Sequence, residues 1–182
     1  MGHLTNKPVI AAVQNDAAFK AALKSDADTI FLLCADILSL ERTVNSAHAA
    51  EKQLFLHIDL TDGLGKDKGG IQYAASLKID GVVSTRGNLI RYARECGLFT
   101  VQRFFIVDNH SMNTAIESIR QNRPDSIEIM PGLLPKVIAE IVTRTGITVI
   151  AGGLIETRPE VQTALSAGAA AISTGKTELW NL

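Results

Sequence analysis

Short apolar runs rich in β-branched residues alternate along the whole chain with stretches whose apolar positions recur every three or four residues. The short runs have strand length and fall at residues 9–13, 29–35, 53–60, 81–84, 100–107, 126–130, 147–151 and 169–172. The stretches between them predict amphipathic helices. One uses Leu40, Val44 and Ala47 on a single face, another Met112, Ala115, Ile116 and Ile119, and a third Leu134, Val137, Ile138 and Ile141. Eight strands with helical patterns between them predict a parallel α/β fold, and within that class a compact (βα)8 barrel of the TIM type filling residues 1–182 as one domain. The chain is shorter than the roughly 250 residues usual for that barrel, so closure requires short loops, and the turn signals are mostly short. An open doubly wound sheet is the alternative.

The clearest unit is the last. An apolar run ends in Gly152 and Gly153, Thr157-x-x-Glu160 reads as a capping box, and Val161, Ala164 and Leu165 share a helix face. Gly168 stands where that helix should stop. A small apolar strand follows and ends in the polar loop Ser173-Thr174-Gly175. In a barrel these two loops lie at the carboxyl ends of strands seven and eight, where free backbone N–H groups often hold a phosphate. The plainer reading is that the two glycines only turn the chain.

Composition narrows the classes without choosing among them. With 46% hydrophobic and 20% charged residues the chain is globular, and a net charge of −1 excludes a global attraction to nucleic acid or anionic membrane. Two cysteines, Cys34 and Cys96, are too few for a disulfide framework and fit a reducing compartment. No apolar run spans a membrane and the amino terminus lacks a signal-peptide pattern, so a cytoplasmic protein is expected.

Candidate chemistry gathers at the predicted carboxyl ends of strands. His57 and Asp59 are expected to share one face of strand three, where an acid and a base could move a proton or grip hydroxyl groups. The alternative is a buried polar network with Arg103. Arg103 on strand five could bind a phosphate oxygen or neutralise Glu128 on strand six. Asp59-x-x-Asp62 resembles the paired aspartates of barrel decarboxylases but lacks the lysine those enzymes carry between them. His3, His48, His57 and His110 are scattered, and no Walker, nucleophile-elbow or dinucleotide fingerprint is present. Arg86, Arg91 and Arg94 surround the fourth helix, where a solvated face is the expectation over RNA contact. Packing is expected for Phe104, Phe105 and Trp180, and a core position for Cys34.

Taken together, His57-Ile58-Asp59-Leu60 with Gly63, Ser84-Thr85-Arg86, Gln102-Arg103, Glu128-Ile129-Met130-Pro131-Gly132, Ala151-Gly152-Gly153 with Ile155, and Leu179-Trp180 resemble the glycerol 3-phosphate-responsive antiterminator family. These proteins regulate bacterial glycerol-uptake operons, and the resemblance covers residues 8–180. It implies a barrel that binds glycerol 3-phosphate and acts on the leader mRNA of its operon, letting transcription pass a terminator. It implies no catalytic turnover, no metal and no cofactor. On this resemblance Gly152, Gly153, Ser173 and Thr174 hold the phosphate, while His57, Asp59, Arg103, Glu128 and Gly132 make up the rest of the ligand site. Residues 62–70 depart from the family pattern, which leaves the role of Lys66 open. A homo-oligomer is compatible with this reading, and a membrane partner is not expected. The competing hypothesis is a small phosphate-binding barrel enzyme, an isomerase or aldolase acting on a sugar phosphate.

Overall fold

The computed structural model describes residues 4–182, so His3 lies outside the described residues. Eight parallel strands close into a barrel: β1 (Val9–Val13), β2 (Thr29–Leu32), β3 (Gln53–His57), β4 (Gly81–Ser84), β5 (Phe99–Phe105), β6 (Ser126–Met130), β7 (Thr148–Gly152) and β8 (Ala171–Thr174). Each pairs with its neighbour in sequence, and β8 pairs with β1. The open sheet is thereby excluded. Seven helices pack outside: α1 (Asp16–Ala22), α2 (Ile37–Ala49), α3 (Lys68–Ser76), α4 (Gly87–Glu95), α5 (Asn109–Asn122), α6 (Pro135–Thr145) and α7 (Arg158–Ser166).

The helices begin and end where local chemistry requires. The Thr157–Glu160 capping box forms as expected, with Pro159 in the first turn, and Gly168 follows the helix at φ +103°. Asp108 and Ser111 make a second box at the start of α5. In place of an eighth helix there is one 3-10 turn, Thr177–Leu179, that seats the buried Trp180. The indole Nε1 donates to the Thr174 carbonyl at 2.8 Å. Replacing a whole helix by one turn is part of how so short a chain closes a barrel.

Several predicted boundaries are corrected. Strand two stops at Leu32, because the Asp36 side chain accepts from the Leu38 N–H at 2.8 Å and so starts α2. Residues Ala35–Asp36 instead pair with Thr61–Asp62 as a separate two-residue ladder. Strand three stops at His57, and Ile58–Leu60 form a 3-10 turn, so Asp59 is not a strand residue. At the other end of the chain, Ser173 and Thr174 belong to β8 rather than to the loop after it.

The barrel interior is filled, not hollow. Its lower layer is Ile10, Phe31, Phe55, Val83, Val101, Ile150 and Ala171, with the Phe31 and Phe55 rings 5.5 Å apart. Two residues further along their strands come His57, Arg103, Gly152 and Ser173. The period-two alternation therefore lays a polar layer on an apolar plug. Outside the barrel, the core includes the helix faces read from periodicity, among them Leu40, Val44, Met112, Ile116, Ile138 and Ile141. Phe105 departs from the packing expectation: it is 59% exposed at the barrel mouth.

Candidate functional site

The polar layer is organised by strand register. Arg103 and Glu128 are Cα partners on β5 and β6, and the Arg103 Nε lies 2.5 Å from Glu128 Oε2. Glu128 is wholly buried and Arg103 nearly so. The other carboxylate oxygen accepts from Ser173 Oγ at 2.7 Å. A Cβ on Gly152 would stand 2.3 Å from that same oxygen, so this position has no side chain because Glu128 occupies the space. Gly153 takes φ +73°, where glycine carries no steric penalty.

Above the pair opens a cavity of about 380 Å³ at the carboxyl ends of the strands. It brings together Arg103, Glu128, Gly153, Ser173 and Thr174 among the expected site residues, and adds Gly175, Lys176 and Glu156. The two hydroxyls expected to meet a phosphate are already engaged. Ser173 holds Glu128, and Thr174 Oγ1 donates to the Ile155 carbonyl at 2.7 Å while accepting from the Lys176 N–H at 3.2 Å. Thr174 thus ties the loops after β7 and β8 together. The Lys176 ammonium lies 3.2 Å from Glu156 in a pair open to solvent, which an anion can disrupt at small cost. Gly132 does not line the cavity. Its N–H donates to the Gly153 carbonyl at 3.1 Å, and a Cβ there would meet Ile155 at 2.7 Å, so it packs the β6 loop against the β7 loop.

His57 and Asp59 form a second polar group beside the first. Asp59 is held by the Ser84 hydroxyl at 2.9 Å and the Thr85 N–H at 2.8 Å, both on Oδ2. Arg86 Nε approaches Oδ1 at 3.3 Å without the alignment of a hydrogen bond. His57 Nδ1 is 3.9 Å from Asp59 Oδ2 and, among the described residues, has no hydrogen-bond partner, although the ring is only 3% exposed. The two residues are close, as expected, but through the 3-10 turn and not through strand alternation. Lys66 reaches back to the Thr61 carbonyl. Burial pushes its ammonium pKa down, against the pull of Asp59 and Asp62.

Burial, and then the positive charge of Arg103, hold the His57 imidazole down at about 4, from an ordinary 6.5, while Asp59 pulls the other way. The ring is neutral in the folded protein across the range in which the unfolded chain takes up a proton. Its contribution to stability is therefore intact above pH 6.5 and lost as pH falls towards 4, roughly 3 kcal/mol in all. Urea unfolding between pH 7 and 4 should show a steeper loss for the wild type than for His57→Gln. Parallel curves would mean that the ring is not kept neutral by its site.

Of the other expectations, Cys34 borders a separate cavity of about 430 Å³ with Asp16, Asp36 and Asp62. It is partly buried rather than in the core. Arg91 and Arg94 are not simply solvated: both guanidinium groups bind Asn122 at the end of α5. The sequence reading missed Lys176 and Glu156. The Gly175-Lys176 dipeptide directly after β8 was the available signal for the first; Glu156 had none, because its pairing depends on two loops meeting.

Comparison with known proteins places this architecture. A family described as "Glycerol-3-phosphate responsive antiterminator" matches residues 9–180. The chain is 34% identical over 180 residues to the uncharacterized protein YgcP of Escherichia coli (strain K12), covering 98% of this chain and 94% of that one. A crystal structure of a glycerol uptake operon antiterminator regulatory protein from Listeria monocytogenes superposes with a TM-score of 0.92 at 33% identity, over 97% of this chain and 96% of that one. A glycerol uptake operon antiterminator-related protein from Thermotoga maritima gives 0.86 at 32%, over 96% and 98%. The family match takes in every strand of the barrel and every loop of its polar mouth, and with it the chain belongs to the glycerol-3-phosphate responsive antiterminator family.

Proposed function

We propose that this protein is a glycerol 3-phosphate-responsive regulator of a glycerol-uptake operon, which binds the leader of the operon's mRNA and lets transcription pass a terminator. The observation that carries the ligand half of this reading is the cavity of about 380 Å³, where a cation and glycine loops stand beside a buried Arg103–Glu128 pair. Its size is that of a small-molecule site. The Gly153 and Gly175–Lys176 loops suit a phosphate, and Arg103 and Glu128 offer a donor and an acceptor for vicinal hydroxyls. His57 Nδ1 and Asp59 Oδ1, buried without hydrogen-bond partners among the described residues, suit a further polar group of the ligand or of a closing loop. Regulation requires that the ligand bind the RNA-competent state more tightly than the other state. An RNA partner implies action in the cytoplasm. Among the described residues, no helix is long and apolar enough to cross a membrane.

One observation favours a second reading, an isomerase or aldolase of a sugar phosphate. A neutral imidazole stands 3.9 Å from a carboxylate, an acid–base pair of the kind that moves protons, although a pKa held down at about 4 makes the ring a weak base. The two readings separate in one experiment. Phosphorus NMR of glycerol 3-phosphate with stoichiometric protein should show a shifted or broadened resonance and no new peak over hours. A growing product peak would make the protein an enzyme, and an unperturbed resonance would remove the ligand.

A further inference from the structure

The helices of a (βα)8 barrel run opposite to its strands, so the carboxyl ends of α4, α5 and α6 lie on the face away from the cavity. Each of the three carries an arginine in its last turn: Arg94, Arg120 and Arg144. One such cation per helix is ordinary complementation of the helix dipole. Two more arginines on this face are not explained in that way. Arg91 lies one turn earlier on α4, and its Nη1 donates to Asn122 Oδ1 at 2.6 Å, while Arg94 Nη1 donates to the Asn122 carbonyl at 3.3 Å. Asn122, itself buried and bound to Gln102 and Ser118, therefore draws both α4 arginines against the end of α5. Arg123 ends α5 in the left-handed conformation at φ +50°, where glycine is usual and a long side chain is strained.

Between the ends of α5 and α6 runs an open groove of about 650 Å³, lined by Arg120, Arg123, Arg144 and the single acid Asp125. That acid is occupied, since its Oδ2 accepts from the Thr100 N–H at 2.8 Å and the Thr100 hydroxyl at 2.7 Å. Arg144 is bound to Glu140 and Asn113. Among the described residues, the guanidinium groups of Arg120 and Arg123 have no ion-pair or hydrogen-bond partner, and both side chains are exposed. The left-handed Arg123 backbone closes α5 through its N–H to the Ile119 carbonyl at 2.9 Å, while its side chain is left to solvent. The large exposed apolar residues, Leu38, Leu60, Tyr73, Phe105, Val107, Leu133 and Leu154, all lie outside this groove. A partner here is held by charge and not by apolar burial, unlike the centre of a protein–protein interface.

We propose that this arginine groove is the docking surface for the phosphodiester backbone of RNA, on the opposite end of the barrel from the ligand cavity. The assignment rests on the reading above that RNA is the partner. Planar guanidinium forks match phosphate oxygens two at a time, and unpaired arginines on a chain of net charge −1 form a local rather than a global polyanion site. The separation also gives the regulator its form. Ligand and RNA do not compete for one mouth, and coupling between them runs through β5 and β6, whose carboxyl ends hold Arg103 and Glu128 and whose amino ends meet the groove through Thr100 and Asp125.

The test is ultraviolet crosslinking of the full chain to fragmented total RNA with glycerol 3-phosphate present, followed by mapping of the crosslinked peptides. Crosslinks within residues 119–125 and 144–148 are expected. Crosslinks confined to the mouth, at residues 61–67 or 175–180, would overturn this location and leave the regulator intact. None anywhere would overturn both. In parallel, the Arg120→Gln/Arg123→Gly double variant should bind the same RNA at least tenfold more weakly. Its plot of log affinity against log salt should be shallower by about 1.4 to 1.8, the loss of two phosphate contacts. Glycine relieves the positive φ at 123, so the melting temperature and glycerol 3-phosphate binding should be retained. An unchanged salt slope in this folded variant would refute the proposal.

Discussion

Gly152→Ala is expected to destabilise the protein by about 3–5 kcal/mol and to abolish glycerol 3-phosphate binding, although it adds one methyl group. The new Cβ would sit 2.3 Å from Glu128 Oε1 and 2.9 Å from its carboxyl carbon. Glu128 has no free direction in which to yield. It is wholly buried, with Arg103 on one oxygen at 2.5 Å and Ser173 on the other at 2.7 Å. Either the carboxylate leaves both partners or β7 shifts, and β7 carries the Gly153 loop that borders the cavity. Urea denaturation and calorimetric titration with the ligand would check both effects. A variant that unfolds within about 1 kcal/mol of the wild type would show that Glu128 has room to move.

Arg103→Met is expected to cost about 3–5 kcal/mol, because it leaves the buried Glu128 carboxylate without its ion-pair partner. The Arg103→Met/Glu128→Gln double variant should recover most of that stability, since replacing both members of a buried pair is often near neutral. Ligand binding should be lost in both. Stability and recognition then part company: the pair contributes little net stability and supplies the donor and acceptor that the ligand reads. A double variant that still bound glycerol 3-phosphate would remove Arg103 and Glu128 from the recognition site. Arg103 also helps to depress the His57 pKa, so in the single variant the His57 share of the acid loss should be smaller and end at a higher pH.

The helix faces and their caps were legible because they are local. Leu40 and Val44, or Thr157 and Glu160, lie within a turn or so of each other, and their spacing alone states the element. Strand ends were less legible. Residues 58–60 continue an apolar run, yet Asp59 leaves β3 to meet Ser84 and Thr85 of a different strand and its loop. The same holds for Arg91 and Arg94, which look like a solvated pair until Asn122, 28 and more residues away, takes both. Phe105 shows the opposite error: an aromatic residue at the end of a buried strand has already left the core for the exposed mouth.

The sequence by itself determined the class of fold, the order of its strands and helices, the family resemblance, and the residue types available at the mouth. Those follow from periodicity and from neighbours within a few positions. The tertiary structure decided which of those residues act together. Parallel pairing within the closed barrel sets β8 beside β7, so that Ser173 meets the carboxylate of Glu128, 45 residues earlier, and register sets Arg103 against Glu128 across β5 and β6. Closure also explains Gly152, read from sequence as a turn or phosphate glycine, as the space required by a buried acid. Such contacts depend on how strands far apart in the chain are aligned, and no local pattern encodes that alignment.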